Sequence, residues 1–356
     1  MKRWTTAVPV LAAVLLAATW GSKPPAVVLV LVGIVLAGAV LAAVHHAEVV
    51  AHRVGEPYGS IVLAVAVTVI EVGLIVTLMV SGDSDDTATL ARDTVFAAVM
   101  ITCNGIVGLC LIVGALRRGL AAFNAEGTAT ALATVCTLAT LTLVLPTFTE
   151  SAPLREFTSA QLAFAAVASI TLYGLFVFIQ AIRHRDYFLP VEEDAGHAGH
   201  AEPPSDRAAI SSLVLLVIAL VAVVGLAKIE SPAIEDAVEA AGAPPSAVGV
   251  IIALLVLAPE TLAAVRNARR DRIQTSFNLA FGSAIASIGL TIPAIALATI
   301  WVDGPLVLGL EPTQMVLLAI TAVVGALTVL PGRATLQEGG VHLALFAAFL
   351  FLAVVP

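Results

Sequence analysis

Charge is scarce in this chain. Asp, Glu, Lys and Arg make up 12% of its 356 residues, against roughly a quarter in a soluble domain. A chain so poor in charge cannot clothe a solvated globular surface, and no nucleic-acid partner is expected of it. Cysteine is scarce too. Cys103, Cys110 and Cys136 all fall in apolar runs without zinc-site spacing, and read as buried apolar residues. Two motifs are missing altogether. No Gly-x-x-x-x-Gly-Lys-Ser/Thr loop is present, which argues against an ATP-driven pump. There is no His-Glu-x-x-His either, because no histidine directly precedes Glu48. With no nucleophile–base pair in evidence, an enzyme is not expected, nor is a bound cofactor.

What is abundant is apolar sequence: 60% of residues are hydrophobic and the mean hydropathy is +1.04. Apolar runs long enough to cross a bilayer recur from end to end, so the fold class is an all-α polytopic membrane protein whose partner is lipid. Breaking the runs at charged, Gly and Pro clusters predicts eleven transmembrane helices. They cover 6–20, 25–44, 57–80, 93–116, 128–147, 160–182, 208–229, 246–265, 274–301, 312–330 and 340–355. The stretch after Met1-Lys2-Arg3 reads as a first membrane helix rather than a signal peptide, since no clear Ala-x-Ala site follows it.

Orientation follows from lysine and arginine, which concentrate on cytoplasmic loops. Lys2, Arg3, Arg53, Arg117, Arg118, Arg183, Arg185, Arg207, Arg266, Arg269, Arg270, Arg272 and Arg333 fall on one side of the predicted spans. Only Lys23, Arg92, Arg155 and Lys228 fall on the other. The expectation is a multi-pass protein of the cytoplasmic (inner) membrane, N-terminus cytoplasmic and C-terminus external; the reading allows a homo-oligomer. The longest polar segment, Arg183–Arg207, is acidic and divides the chain. We read an extra N-terminal helix in 1–24, a five-helix repeat in 25–182, an acidic cytoplasmic linker in 183–207 and a second five-helix repeat in 208–356. An odd number of helices per half forces the halves into opposite orientations.

The halves echo each other. GEPYGSIVLAVAVTVIEVGL (Gly55–Leu74) and GAPPSAVGVIIALLVLAPETL (Gly242–Leu262) each open on Gly-x-Pro, run apolar and then place one glutamate, Glu71 or Glu260. A charge near the bilayer centre costs roughly 2.5–3.5 kcal/mol on insertion scales. A pair of them points to function more than to tolerated burial of neutral acids. The next predicted helix of each half is polar in a patterned way. One carries Asn104 among Gly105, Gly108 and Gly114; the other carries Ser283, Ser287 and Thr291 at four-residue spacing, on one face. Hydroxyls, amides and carboxylates are hard oxygen donors, suited to Ca²⁺ or Na⁺ rather than to soft metals. Pro259 and Pro293 would leave further carbonyls free.

Other polar features admit more than one reading. His45, Glu48 and His52 share a helix face, which reads as a polar cytoplasmic helix end, as an ion-entry or gating position at Glu48, or, least favoured, as a metal site. The linker, with His184, His197 and His200, reads as a solvated tether, with cation recruitment or pH sensing as the alternative. Ala268–Arg272 reads as a topology anchor.

Three blocks carry a family resemblance: His46–Val72, Leu257–Ala296 and His342–Leu350. They closely resemble the ChaA-type calcium/proton antiporters of the CAX cation/proton exchangers, within the calcium/cation antiporter superfamily. The resemblance implies ten core helices in two inverted repeats plus the extra N-terminal helix. It implies that Glu71 and Glu260 alternately bind the cation and protons, that Ser283 and the region of Asn104 contribute to the site, and that Glu48 lies near the cytoplasmic mouth of a mobile helix. The wider family places Gly-Asn-Ala before each glutamate. Here Thr68-Val69-Ile70 and Leu257-Ala258-Pro259 stand there instead, as in the branch associated with Na⁺ and K⁺ exchange. The expectation is a secondary active antiporter exporting Ca²⁺, with Na⁺ and K⁺ as further candidate cargoes, in exchange for H⁺. Its site would be Glu71, Glu260, Asn104, Ser283 and Ser287. A monovalent Na⁺(K⁺)/H⁺ antiporter is the alternative; a passive cation channel is a more distant one.

Overall fold

The computed structural model describes all residues except 1, 2, 23, 56, 57, 82–86, 153, 154, 190–203, 302, 303 and 356. Most of the acidic linker, with His197 and His200, thus lies outside the described residues. Eleven long helices account for nearly all of the rest. They are α1 Arg3–Thr19, α2 Ala26–Val54, α3 Tyr58–Ser81, α4 Leu90–Arg118, α5 Ala125–Phe148, α6 Ser159–Arg183, α7 Asp206–Ala240, α8 Ser246–Arg269, α9 Ile273–Ala298, α10 Pro312–Val329 and α11 Leu336–Val354. Ten, α2 to α11, are long and apolar enough to cross a membrane. With 17 residues, α1 is about 25 Å long, slightly short of a span.

Two helices outrun their predicted ends. α2 continues through His45–His52 to Val54, and α7 continues past residue 229, through Pro232, to Ala240. Polarity marks where a helix leaves apolar surroundings, whereas the helix itself stops where its backbone pairing is interrupted. Both stop next to a glycine at positive φ, Gly55 (77°) and Gly242 (68°), a conformation that costs glycine little. Helix starts are equally local: Asn124 caps α5, and Thr158 and Thr335 form capping boxes with Gln161 and Glu338.

Packing divides the helices around two apolar cores. One is built from α4, α5, α6, α9, α10 and α11. The other is built from α1, α2 and α7. α3 and α8 contribute to both, as α4 does through Leu90 at its start, so the helices bearing Glu71 and Glu260 lie on the seam. α1 leans on both long helices of the smaller core. Val8 abuts Gly38 of α2, Leu16 abuts Gly225 of α7, and His46 Nε2 donates to the Thr5 carbonyl at 2.8 Å. α4 is enclosed on all sides: every residue from Leu90 to Gly108 is buried. That explains its lack of a polar stripe.

The connections repeat a pattern. The α4–α5 connection pairs with α10–α11 through strands β1 (Ala121–Ala122) and β2 (Arg333–Ala334). The α5–α6 connection pairs with α9–α10 through Glu156 and Val307. Near its start, α4 places Asp93 in a hydrogen bond from Gln314 of α10; near its start, α9 places Gln274 in one to Thr128 of α5. All of these contacts map onto one another when α4, α5 and α6 are exchanged for α9, α10 and α11.

Candidate ion-binding site

Glu71 lies midway along α3 and Glu260 on α8, and both are almost fully buried. Between them opens a cavity of about 270 Å³ walled by α3, α8, α9 and α6, with Ala98 as the contribution of α4. Glu71 is held from α9. Ser287 Oγ donates to its Oε1 at 2.6 Å, and Thr291 Oγ1 donates to its Oε2 at 3.1 Å. The i, i+4 spacing of these hydroxyls places both on the helix face turned to α3. Glu260 is held differently. Its Oε2 is buried with no hydrogen-bond partner among the described residues, in a cavity whose walls are mostly apolar side chains such as Val67, Phe176 and Leu257. Glu48 and Glu71 both act electrostatically on Glu260. Two neighbouring carboxylates out of bulk water repel and are poorly solvated, so a bound cation or protons would relieve both costs.

Ser283 and Ser287 line this cavity; Asn104 does not. Asn104 faces the opposite side of α4, donating through Nδ2 to Thr321 Oγ1 at 2.9 Å and contacting His342 Nδ1 at 3.2 Å through Oδ1. Glu48 is exposed near the end of α2, 4.0 Å from His45 Nδ1 and under the influence of Arg266. Among the described residues no group of three or more His, Cys, Asp or Glu could hold a metal, so His45, Glu48 and His52 do not converge on one. The three cysteines are free; Cys103 and Cys110 are buried and Cys136 half-buried.

The cavity also has polar walls that sequence reasoning did not single out: Thr68, Gln180, Thr275 and Asn278. Thr68 stands three residues before Glu71, a helical neighbour that the glutamate alone could have flagged. Gln180 and Asn278 come from elements distant in sequence and carried no such signal. They extend the cavity toward the connection after α6, where Asn278 Nδ2 donates to the Phe188 carbonyl at 2.6 Å. At the other end of the molecule a separate cavity of about 410 Å³ is lined by Glu235, Asp236 and Glu239 of α7 with Thr87, Leu90 and Val248. That end also holds the buried pair Arg92–Asp93, joined at 2.8 Å. Glu230, one residue beyond the predicted seventh span, lies within α7 against Gly33 of α2.

Residues 25–182 and 211–355 match the family described as sodium/calcium exchanger protein. The chain belongs to that family. It is 45% identical to the protein y4hA of Sinorhizobium fredii over 99% of this chain and 96% of that one. It is 35% identical to the sodium-potassium/proton antiporter ChaA of Escherichia coli over 96% and 93%. The solved H⁺/Ca²⁺ exchanger CAX superposes with a TM-score of 0.70 at 14% identity, covering 98% of this chain and 91% of that structure. The exchanger fold, a multi-pass membrane location and membership in a group of transporters rather than enzymes follow. So does an exchanger-type cation antiport activity.

Proposed function

We propose that this chain exports Ca²⁺ across the cytoplasmic membrane in exchange for protons, with Glu71 and Glu260 as the groups that bind cation and protons in turn. The observation that carries this reading is the shared cavity, in which one glutamate is fixed by two hydroxyls and the other presents a buried oxygen with no hydrogen-bond partner among the described residues. Carboxylates, Ser283 and Ser287 form a hard oxygen set, which suits Ca²⁺. If the arginine-rich loops are cytoplasmic, the cavity opens to the cytoplasm, because Gln180, Asn278 and the Phe188 turn lie at that end. This is the loading state. Deprotonated glutamates take the cation from the cytoplasm, the seam between the two cores rearranges, and external protons displace the cation. The neutralised pair then costs less to carry back. The exchange of α4–α6 for α9–α11 in the contact pattern supports two inverted repeats behind this movement.

A monovalent reading has its own support, since ChaA, 35% identical, is named a sodium-potassium/proton antiporter. The deciding measurement is proton release in everted vesicles, titrated separately with Ca²⁺, Na⁺ and K⁺. Saturable proton flux with Ca²⁺ at lower concentrations than with Na⁺ or K⁺ is expected. The reverse order would reassign the cargo, and conductance without proton coupling would replace the antiporter with a channel.

Ser287 tests the hydroxyl clamp. A hydrogen bond to a charged group contributes about 1.5–3 kcal/mol, or roughly ten- to a hundredfold in affinity. Ser287→Ala is therefore expected to raise the half-saturating cation concentration within that range, and Ser287→Thr to restore much of it. Unchanged saturation in Ser287→Ala would remove the clamp from the site.

A further inference from the structure

We propose that His342 is a positioning residue for transport, acting through Asn104 to hold the register of α4 behind the ion cavity. Both side chains are buried. Asn104 Oδ1 can only accept, so His342 Nδ1 donates to it at 3.2 Å and leaves Nε2 to accept from Thr328 Oγ1 at 3.1 Å. Asn104 Nδ2 passes the chain on to Thr321 Oγ1. Thr328, His342, Asn104 and Thr321 thus form a hydrogen-bonded line that ties α10 and α11 to the middle of α4.

Asn104 stands in the part of α4 that is not α-helical. Ile101–Ile106 is a π-helical turn, in which the Val107 N–H reaches the Thr102 carbonyl. A π turn accommodates one residue more than an α turn and is rarely sustained without support from its surroundings. Here α11 fits against it closely: a Cβ at Gly105 would lie 3.4 Å from the Phe346 ring, and one at Gly108 3.0 Å from Leu343. Were the turn to relax into α-helix, one part of α4 would rotate by about 100° relative to the other. Asn104 would then lose His342 or Ala98 would leave the cavity wall. Ala98 is the one α4 residue lining the cavity, and Thr102 Oγ1 donates to its carbonyl at 2.7 Å. Its neighbour Val99 would present a branched side chain in its place. The polar line penalises that slip, because a buried amide and imidazole would be left unpaired. His342 touches neither glutamate, and its effect reaches the site through the backbone of α4.

The transport consequence rests on the antiport reading, whereas the register consequence does not, so the two can fail separately. The test uses the full chain with Cys103, Cys110 and Cys136 replaced by alanine and one cysteine introduced as Ala97→Cys, Ala98→Cys or Val99→Cys. Each is treated in everted vesicles with a small water-soluble methanethiosulfonate. With His342 present, Ala98→Cys is expected to react at least about tenfold faster than the other two, the equivalent of about 1.4 kcal/mol. With His342→Ala or Asn104→Ala, the fastest position is expected to move to 97 or 99. His342→Asn, which returns an N–H near Nδ1, should restore reactivity at 98; His342→Gln, which mimics Nε2, should not. This pair of variants decides the matter if His342→Ala fails to accumulate. In exchange assays without introduced cysteines, His342→Ala is expected to raise the half-saturating cation concentration about tenfold while leaving the maximal rate within about twofold. Labelling that stays at 98 in both His342→Ala and Asn104→Ala, or equal rescue by Asn and Gln, overturns the proposal. An absence of exchange in the unaltered protein would overturn the antiport reading and leave the labelling result to judge His342.

Discussion

Glu71→Gln and Glu260→Gln, made singly, are each expected to abolish cation-dependent proton flux in everted vesicles while the protein still folds. Glutamine preserves the shape of the side chain and its capacity to hydrogen-bond, so Ser287 and Thr291 keep a partner at position 71. What it removes is the charge and the exchangeable proton. At an effective dielectric near 20, one charge pair about 4 Å apart is worth on the order of 4 kcal/mol, or roughly a thousandfold in affinity. A divalent cation loses more than a monovalent one. At the substituted position proton exchange disappears in this scheme, because an amide takes up no proton, and the remaining glutamate cannot complete the cation site alone. Glu71→Asp is a graded control: it keeps the charge but withdraws it by one methylene from the hydroxyl clamp, and partial activity is expected. Coupled flux retained in both glutamine variants would sink the glutamate mechanism.

Gly249→Val is expected to have a large effect on stability. Gly249 is buried on α8, and a Cβ there would lie 2.9 Å from the Thr94 nitrogen and 3.0 Å from Asp93 atoms of α4. Backbone cannot yield as a flexible side chain does, so α8 would be pushed off α4, and Glu260 with it. Overpacking of this kind costs about 1–3 kcal/mol, sometimes more. The measurement is the thermal midpoint and monodisperse yield in detergent. Gly174→Ala is the companion control, because nothing lies within 4 Å of a Cβ at Gly174 in the middle of α6. It should leave the midpoint unchanged or slightly raised. A Gly249→Val protein as stable as the parent would show that the α4–α8 contact is looser than described.

The two buried glutamates were legible because their cost is local: an acid in the middle of an apolar run is visible without knowing what surrounds it. The hydroxyl stripe was legible for a similar reason, since four-residue spacing puts Ser283, Ser287 and Thr291 on one face whatever that face meets. Asn104 shows where such reading stops. Its sequence neighbourhood resembles that of a ligand, but a helix has two sides. Which side of α4 faces the cavity was decided by α10 and α11, more than 200 residues away in sequence. The same holds for Gln180 and Asn278, unremarkable polar residues near helix ends until α6 and α9 bring them to one cavity. α2 and α7 run past their apolar stretches because polarity does not stop a helix; Gly55 and Gly242 mark their ends.

Apolar patterning alone thus places this protein in a membrane, matches the eleven long helices found among the described residues, and picks out two acids that lie buried within their helices. Apolar run length and the penalty for a charge in hydrocarbon are properties of single segments. The tertiary structure alone decided that Ser287 and Thr291 grip Glu71, that one oxygen of Glu260 finds no hydrogen-bond partner among the described residues, and that Asn104 turns to His342. Those outcomes depend on the rotation of each helix about its own axis, and that rotation is set by packing against helices far away in the chain.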